Sequence, residues 1–151
     1  MPFKSINLTT GKKIATYPET IPGEIKGIIE RTHKTFLDWR RQGFAERAKL
    51  VRKAAEILRH NTADYGRLMA EEMGKPVADG KAEAEKCATG CDYFAENAEH
   101  FLADEIIATD ARRSFVTYQP LDVVLANMPW NFPFWQVFRF AAPDLAICAS
   151  S

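Results

Sequence analysis

The chain has 151 residues and a mass of 17.0 kDa, and 46% of its residues are hydrophobic and 26% charged, a composition typical of one globular domain. Lys+Arg and Asp+Glu both number 20, so the net charge favours neither nucleic acid nor an anionic membrane as a partner. Three cysteines are too few for a disulfide scaffold, and no apolar run reaches the roughly 18 residues of a membrane span. With no signal segment recognisable at the start, these features predict a cytoplasmic protein.

The first elements are predicted from turn residues and from helical spacing. Residues 5–18 predict two short strands around a turn at Thr10-Gly11. Apolar residues three and four positions apart then predict a helix over about 22–42. Its buried stripe is predicted to consist of Ile25, Ile28, Ile29, Thr32, Phe36 and Trp39.

A second helix is predicted over about 45–60, with an apolar face that includes Ala48, Val51 and Leu58. Several basic side chains lie off that face. No aromatic interleaving or groove-reading motif accompanies them, so a solvated helix face is favoured over a nucleic-acid surface. These basic residues are Arg47, Lys49, Arg52, Lys53 and Arg59.

Two further helices complete the predicted helical layer. Asn61 is predicted to cap the third helix, which ends at Gly74, and the fourth runs over about 77–102. Cys87 and Cys91 lie four residues apart, a spacing that could place two thiolates on one metal ion. Both lie on the small-residue stripe of the fourth helix without further ligands nearby, so we interpret them as core cysteines and predict no metal. The acidic runs 71–72 and 83–85 are interpreted as exposed helix charges.

Beyond residue 103 the hydrophobic period changes from that of a helix to that of a strand. Ile106–Ala108 and Ser114–Tyr118 predict a hairpin with a charged turn, and Leu121–Ala126 predicts one buried sheet strand. A stiff proline-bracketed loop follows, because each proline fixes its own φ and restricts its predecessor. An apolar helix is predicted over 134–147, with a kink or late turn at Pro143.

The loop Asn127–Pro133 is the strongest candidate for a site. Ligands of α/β sheets bind beyond the carboxyl ends of strands, where this loop is predicted to lie. Asn131 is held between Pro129 and Pro133, and a preorganised neutral amide can stabilise a developing oxyanion. The alternative is that Asn131 only caps the following helix, and residue spacing alone does not decide between the two.

The segment Tyr118–Pro133, with its Pro129-Trp130-Asn131-Phe132-Pro133 block, resembles the aldehyde dehydrogenase superfamily. The continuation Phe134–Pro143 resembles its succinate-semialdehyde dehydrogenase branch. Upstream, Asn7–Gly11, Glu71–Pro76 and Glu85–Ala88 are similar to the same family. The resemblance extends to about residue 146.

The resemblance implies an α/β fold with a Rossmann-like cofactor domain, of which residues 1–151 would be a partial amino-terminal portion. This portion would be mainly α-helical, with an amino-terminal β-hairpin, an oligomerisation-type hairpin over about 105–120 and one sheet strand. The implied reaction is oxidation of an aldehyde to an acid with NAD or NADP, through attack by a cysteine thiolate and hydrolysis by a glutamate-activated water. Asn131 would be the oxyanion-hole donor, and Met128, Pro129, Trp130 and Asn131 would line the cofactor cleft.

The departures from the family imply a truncated dehydrogenase. Family members are about three times longer, and their catalytic domain, nucleophilic cysteine and general-base glutamate have no match here. Cys148 lies in a tail without family motifs and is not expected to replace the nucleophile. We therefore expect a chain that is inactive alone, binds cofactor poorly and exposes its last thirty residues. The alternative is a non-catalytic module that docks onto a full-length homologue, and a homo-oligomer is also compatible.

Three further departures place polar residues where the family has small or apolar ones. Asp122 stands where glycine is usual, Asn127 where an apolar residue is usual and Asp144 where alanine is usual. If buried and unpaired, each would cost about 1–3 kcal/mol.

Overall fold

The computed structural model describes residues 2–147 and confirms the mainly helical architecture predicted from the sequence. Helices α1–α5 and two short hairpins follow one another along the chain. In order they are β1 (Phe3–Ile6), β2 (Lys13–Tyr17), α1 (Pro22–Trp39), α2 (Phe44–His60), α3 (Thr62–Met73), α4 (Val77–Phe101), β3 (Glu105–Ile106), β4 (Phe115–Val116) and α5 (Pro133–Ile147). None of the helices in this range is long and apolar enough to cross a membrane.

Both predicted hairpins are present. Strands β1 and β2 pair antiparallel, with Phe3 opposite Tyr17, and Gly11 adopts the positive φ of +68° that their turn requires. The hairpin contacts α3, because the Ser5 hydroxyl donates to the Glu72 carboxylate at 2.6 Å. Strands β3 and β4 also pair antiparallel, over two residues each.

Helix α4 is the centre of the helical layer, and α2, α3 and α5 pack against it. Its buried side chains are small, which lets the neighbouring helices approach closely. At the crossing of α3 and α4, a Cβ built on Gly80 would lie only 2.9 Å from the Cα of Gly66. The buried hydrophobic side chains of α4 are Ala84, Cys87, Ala88, Cys91, Ala95 and Ala98.

The predicted carboxyl end of α3 is confirmed, whereas the predicted amino-terminal cap is wrong. Gly74 ends the helix in the left-handed conformation with φ +73°, as expected of a C-terminal glycine. The side chain of Asn61 does not cap α3; its amide donates instead to the carbonyl of Ile57 at 2.8 Å. That carbonyl, near the end of α2, also accepts the backbone N–H of Asn61 at 3.1 Å, so the end of α2 competes with α3 for the same side chain.

The interpretation of Arg47 as a solvated surface charge was wrong. Its side chain has no exposed surface and lies over the ring of Phe44, with 4.7 Å between Cζ and the ring centroid. It donates to the carbonyls of Gln42 and Ala146. Arg47 therefore joins the start of α2 to the last turn of α5, and these carbonyls compensate part of the cost of burying a cation.

The predicted buried stripe of α1 is largely exposed, and only Phe36 and Trp39 near its carboxyl end are half-buried. No residue of α1 is buried, and the side chains of Ile25, Ile28 and Ile29 keep between 43% and 56% of their surface in solvent. The helix forms as predicted because periodicity determines helix formation locally, whereas burial depends on a neighbouring element. Within residues 2–147 no helix or strand covers Ile25, Ile28 and Ile29.

The predicted sheet strand Leu121–Ala126 is not a strand in this structure. The described residues form only the β1–β2 and β3–β4 sheets, and residues 117–129 form an irregular segment without a strand partner. A strand needs a partner to satisfy its backbone ladder, and none of the described residues supplies one. Leu121 and Leu125 are consequently 91% and 93% exposed.

The expectation that the last thirty residues would all be exposed was also wrong, because α5 packs against α4 and α2. Ala142 and Ala146 are buried there, and Phe134, Trp135 and Phe138 pack on the same core. The helix continues through Pro143 to Ile147. Cys148 lies outside the described residues.

Asp122, Asn127 and Asp144 are all exposed, so the predicted cost of full burial does not arise, although partial burial raises the pKa of the Asp144 carboxyl. Asp122 and Asn127 lie in the irregular segment 117–129, and the Asp122 carboxylate accepts from Nδ1 of His33 at 2.9 Å and from the backbone N–H of Val123 at 2.8 Å. Asp122 has φ +92°, the backbone conformation that favours glycine. The glycine expected from the family resemblance thus has a physical reason at this position.

Candidate functional site

Asn131 stands in a turn between the irregular segment 117–129 and α5, with Pro129 and Pro133 on either side. Its side chain is exposed and makes no hydrogen bond to any other residue in the described range 2–147. Each flanking proline restricts the backbone next to it. The loop therefore presents an uncommitted amide donor on a stiff frame.

The alternative reading, in which Asn131 only caps α5, is wrong. The N–H groups of Phe134 and Trp135 are the ones a capping side chain would bind, and both donate to Oε1 of Glu83, at 3.0 Å and 2.9 Å. Glu83 lies on α4, 51 residues before Phe134 in the chain. A distant carboxylate caps α5, and the amide of Asn131 remains available.

Glu83 is the site residue that the sequence analysis missed, because it was interpreted as an exposed helix charge. The residue is 6% exposed, and its second oxygen pairs with Nζ of Lys75. Lys75 also lies over the ring of Phe132, 3.9 Å from its centroid. The helical spacing predicts the burial of Glu83, because it lies three residues after Gly80 and four residues before Cys87, which are buried on the same face of α4.

Asn131 lines a pocket of about 650 Å³ between α4 and the start of α5. The pocket contains three basic side chains, two of which have partners: Lys75 pairs with Glu83, and Nζ of Lys86 lies 4.0 Å from the ring centroid of Trp135. Arg139 makes no ion pair or ring contact with the rest of residues 2–147. An uncommitted guanidinium and an uncommitted amide therefore line the same pocket.

The residues predicted to line the cofactor cleft, Met128 to Asn131, follow one another in the chain, and of the four Asn131 lines the pocket. Met128 is half-buried, Pro129 is exposed, and Trp130 keeps 77% of its surface in solvent. An exposed indole beside a free amide fits the ring end of a nicotinamide cofactor, because such a ring can stack on an aromatic face and hydrogen-bond to the amide. These two side chains therefore have the chemistry that contact with a nicotinamide ring requires.

The thiols of the described chain are poor nucleophiles. Burial raises the pKa of Cys87 to about 12, with the nearby Glu83 adding to the shift, and burial raises the pKa of Cys91 to about 11. The thiolate is the reactive form, so both thiols are inert near neutral pH. Across residues 2–147 no group of three or more His, Cys, Asp and Glu side chains is placed to hold a metal ion.

Comparison with known proteins identifies the family. The model of the aldehyde dehydrogenase family matches residues 1–150. The chain is 46% identical over 145 residues to a probable succinate-semialdehyde dehydrogenase [NADP(+)] of Synechocystis, and 45% identical over 148 residues to succinate-semialdehyde dehydrogenase [NADP(+)] 1 of Mycobacterium bovis. Each alignment covers 96% of this chain and 32% of the relative.

Solved structures of aldehyde dehydrogenases also superpose on this chain. The succinic semialdehyde dehydrogenase of Streptococcus pyogenes, solved with NADP+, superposes with a TM-score of 0.90 at 29% identity over 97% of this chain and 32% of its own. An aldehyde dehydrogenase of Brucella melitensis superposes with a TM-score of 0.92 at 32% identity, over 97% and 31% respectively. The chain spans about a third of the length of these relatives, matches their amino-terminal portion, and belongs to the aldehyde dehydrogenase family.

Proposed function

We propose that this chain supplies the oxyanion-donor side of an NAD(P)-dependent dehydrogenase that oxidises an acidic aldehyde such as succinate semialdehyde. The observation that carries the proposal is the pocket in which the free amide of Asn131 and the free guanidinium of Arg139 occur together. The 46% identity to the Synechocystis relative supports the substrate class, and that relative's NADP(+) supports the cofactor.

Asn131 would act on the carbonyl oxygen of the aldehyde. When a nucleophile attacks that carbon, negative charge develops on the oxygen, and the Nδ2–H group of Asn131 donates to it. The amide has no other partner in the described chain and its loop is stiff, so little reorganisation is needed as the charge appears. When bound beside Met128, Pro129 and Trp130, the nicotinamide would supply the hydride acceptor.

Arg139 would bind the carboxylate at the other end of the substrate. A guanidinium presents a planar fork of donors that matches a carboxylate in two parallel hydrogen bonds. Lys75 and Lys86 are already occupied by Glu83 and Trp135, so they are weaker candidates. An aldehyde without a negative charge would gain nothing from this contact.

We further propose that the chain does not oxidise aldehydes by itself. The thiols of Cys87 and Cys91 are buried with raised pKa values, so neither provides the thiolate that the family reaction requires. The family resemblance assigns the nucleophilic cysteine and the general-base glutamate to parts of the relatives that this chain does not match. The cysteines kept as free thiols support a reducing, cytoplasmic setting.

The test is reconstitution of this chain with the remaining two-thirds of the Synechocystis relative, followed by reduced-cofactor absorbance with succinate semialdehyde and NADP+. Asn131→Ala is expected to lower kcat by about 100- to 1000-fold, the usual loss of one oxyanion-hole donor. Asn127→Ala is the matched control, because Asn127 is an exposed amide four residues away that does not line the pocket. Equal losses in the two variants would contradict the proposed role of Asn131.

Arg139 is tested in the same reconstituted mixture. Arg139→Gln is expected to raise KM for succinate semialdehyde while leaving KM for uncharged butanal unchanged, because only the former carries a carboxylate. Parallel changes for both aldehydes would contradict the proposed contact.

A second candidate function is a non-catalytic module that docks onto a full-length homologue. Large apolar side chains outside the core favour it, because Ile106, Leu121 and Leu125 are all more than two-thirds exposed. Within residues 2–147, β3 and β4 pair only with each other, which leaves the outer edge of each strand free. Co-purification of the tagged chain with the Synechocystis relative would support docking. A chain that elutes as a monomer in the presence of that relative would contradict it.

A further inference from the structure

Glu83 is a buried carboxylate whose two oxygens are both used. Oε1 accepts the N–H groups of Phe134 and Trp135, and Oε2 pairs with Lys75, whose side chain is itself 10% exposed. A carboxylate is expensive to bury unless it is paired and hydrogen-bonded, and Glu83 meets both conditions. Its partners belong to the first turn of α5 and to the segment between α3 and α4.

The contact lies close to Asn131 along the backbone. Asn131 is separated from the anchored N–H of Phe134 by only Phe132 and Pro133. Pro133 has a fixed φ, and the carbonyl of Phe132 accepts the N–H of Gln136 at 2.9 Å, which closes the first turn of α5. Little torsional freedom therefore remains between the anchored amides and the loop that carries Asn131.

Lys75 holds the loop from the other side. Its Nζ lies over the ring of Phe132, the residue directly after Asn131, while it pairs with Glu83. The ion pair thus contacts the backbone of α5 through Glu83 and a side chain of the loop through Lys75. Through Glu83 and its partner Lys75, the loop is therefore attached to α4, the central helix of the layer.

We propose that Glu83 is a positioning residue for Asn131: its buried carboxylate anchors the first turn of α5 and so fixes the orientation of the oxyanion-donor loop. The proposal rests on the proposed function of Asn131 and adds a residue that acts through the backbone rather than on the substrate. An anchor on a packed helix gives the loop the preorganisation that an electrostatic donor needs.

The test uses the full chain labelled with ¹⁵N and measures two quantities by NMR: amide hydrogen exchange at Phe134 and Trp135, and backbone order at Trp130 and Asn131. In Glu83→Ala both exchange rates are expected to rise by about 10- to 100-fold, the range for loss of a hydrogen bond to a charged acceptor. The order parameters of Trp130 and Asn131 are expected to fall from about 0.85 to below about 0.6.

Two further variants separate positioning from general stability. Glu83→Gln keeps an acceptor oxygen of the same reach, so it is expected to recover most of the order at Asn131 while exchange at Phe134 and Trp135 stays several-fold faster than in the unsubstituted chain. Glu85→Ala is the matched control on α4, because its carboxylate is exposed and pairs with Arg59 at 2.8 Å. Glu85→Ala is expected to leave amide exchange at Phe134 and Trp135, and backbone order at Asn131, unchanged.

The proposal is overturned if folded Glu83→Ala leaves exchange and order unchanged, or if Glu85→Ala produces the same losses. Should Glu83→Ala fail to fold, Glu83→Gln decides: exchange at Phe134 and Trp135 identical to that of the unsubstituted chain overturns the proposal, and selectively faster exchange there supports it. Neither measurement involves turnover. Failure here is therefore distinct from failure of the proposed function, which the comparison of Asn131→Ala with Asn127→Ala decides.

Discussion

The crossing of α3 and α4 permits a sharp prediction, because two glycines of α4 meet opposite surroundings. At Gly80 an added Cβ would lie 2.9 Å from the Cα of Gly66 and 3.2 Å from its carbonyl oxygen. These are backbone atoms, so no side chain can rotate away and the two helices must separate. At Gly90 the nearest atom to an added Cβ is Cζ3 of Trp135 at 3.7 Å, an ordinary contact.

The magnitude follows from comparing Gly80→Ala with Gly90→Ala. Each substitution gains about 0.8–1 kcal/mol from the higher helix propensity of alanine, including its effect on the unfolded chain. Only Gly80→Ala adds an overpacking cost, which is typically about 1–3 kcal/mol. We expect Gly90→Ala to stabilise the fold by up to about 1 kcal/mol and Gly80→Ala to be less stable than it by about 1–3 kcal/mol.

The assay is urea unfolding followed by far-ultraviolet circular dichroism, with equal m values required before the midpoints are compared. Gly90→Ala is expected to unfold at a higher urea concentration than the unsubstituted chain, and Gly80→Ala at the lowest of the three. A midpoint for Gly80→Ala at or above that of Gly90→Ala would refute the close approach of α3 and α4.

Three other outcomes are expected. In a Cys148→Ser background, Cys87 and Cys91 should not react with a disulfide reagent at pH 8 until the chain unfolds, because burial raises their pKa values to about 12 and 11; native-state reaction at the rate of a free thiol would contradict this. The hydrogen bond from His33 lowers the pKa of Asp122, so its contribution to stability is present above the ordinary aspartate range and is lost as pH falls through the lowered value. Carboxyl NMR titration of His33→Ala should show the Asp122 pKa rising, and an unchanged titration would remove that link. Arg47→Met should cost about 1–3 kcal/mol in urea unfolding because the carbonyls of Gln42 and Ala146 lose a buried donor, whereas exposed Lys49→Met should change stability by less than about 0.5 kcal/mol.

The helices were predictable from the sequence because helix formation depends on local periodicity and end signals. The spacing of Ala48, Val51 and Leu58 placed α2, and Gly74 marked the end of α3. Burial of whole faces was not predictable in the same way. The stripe of Ile25, Ile28 and Ile29 has the period of a buried face yet remains exposed, because a face is buried only when another element packs on it.

Charged residues were misjudged when residue type was given more weight than position. Glu83 and Arg47 were interpreted as surface charges, although Glu83 lies in register with Gly80 and Cys87, on the buried side of α4. Their partners are up to 99 residues away in the chain, so the contacts that compensate their burial could not be read from local sequence. The loop position of Asn131 was predictable from Pro129 and Pro133. That Glu83, and not Asn131, caps α5 was not predictable, because Glu83 lies 51 residues before Phe134 in the chain.

We propose that Asn131 is an amide donor for aldehyde oxidation, while the two thiols in the described range 2–147, Cys87 and Cys91, are buried and unreactive. The most direct test is to incubate the purified chain with succinate semialdehyde and NADP+ and to follow the absorbance of the reduced cofactor. We expect no turnover above that of a buffer blank. Steady turnover that disappears when Cys87, Cys91 or Cys148 is replaced by serine would contradict the account.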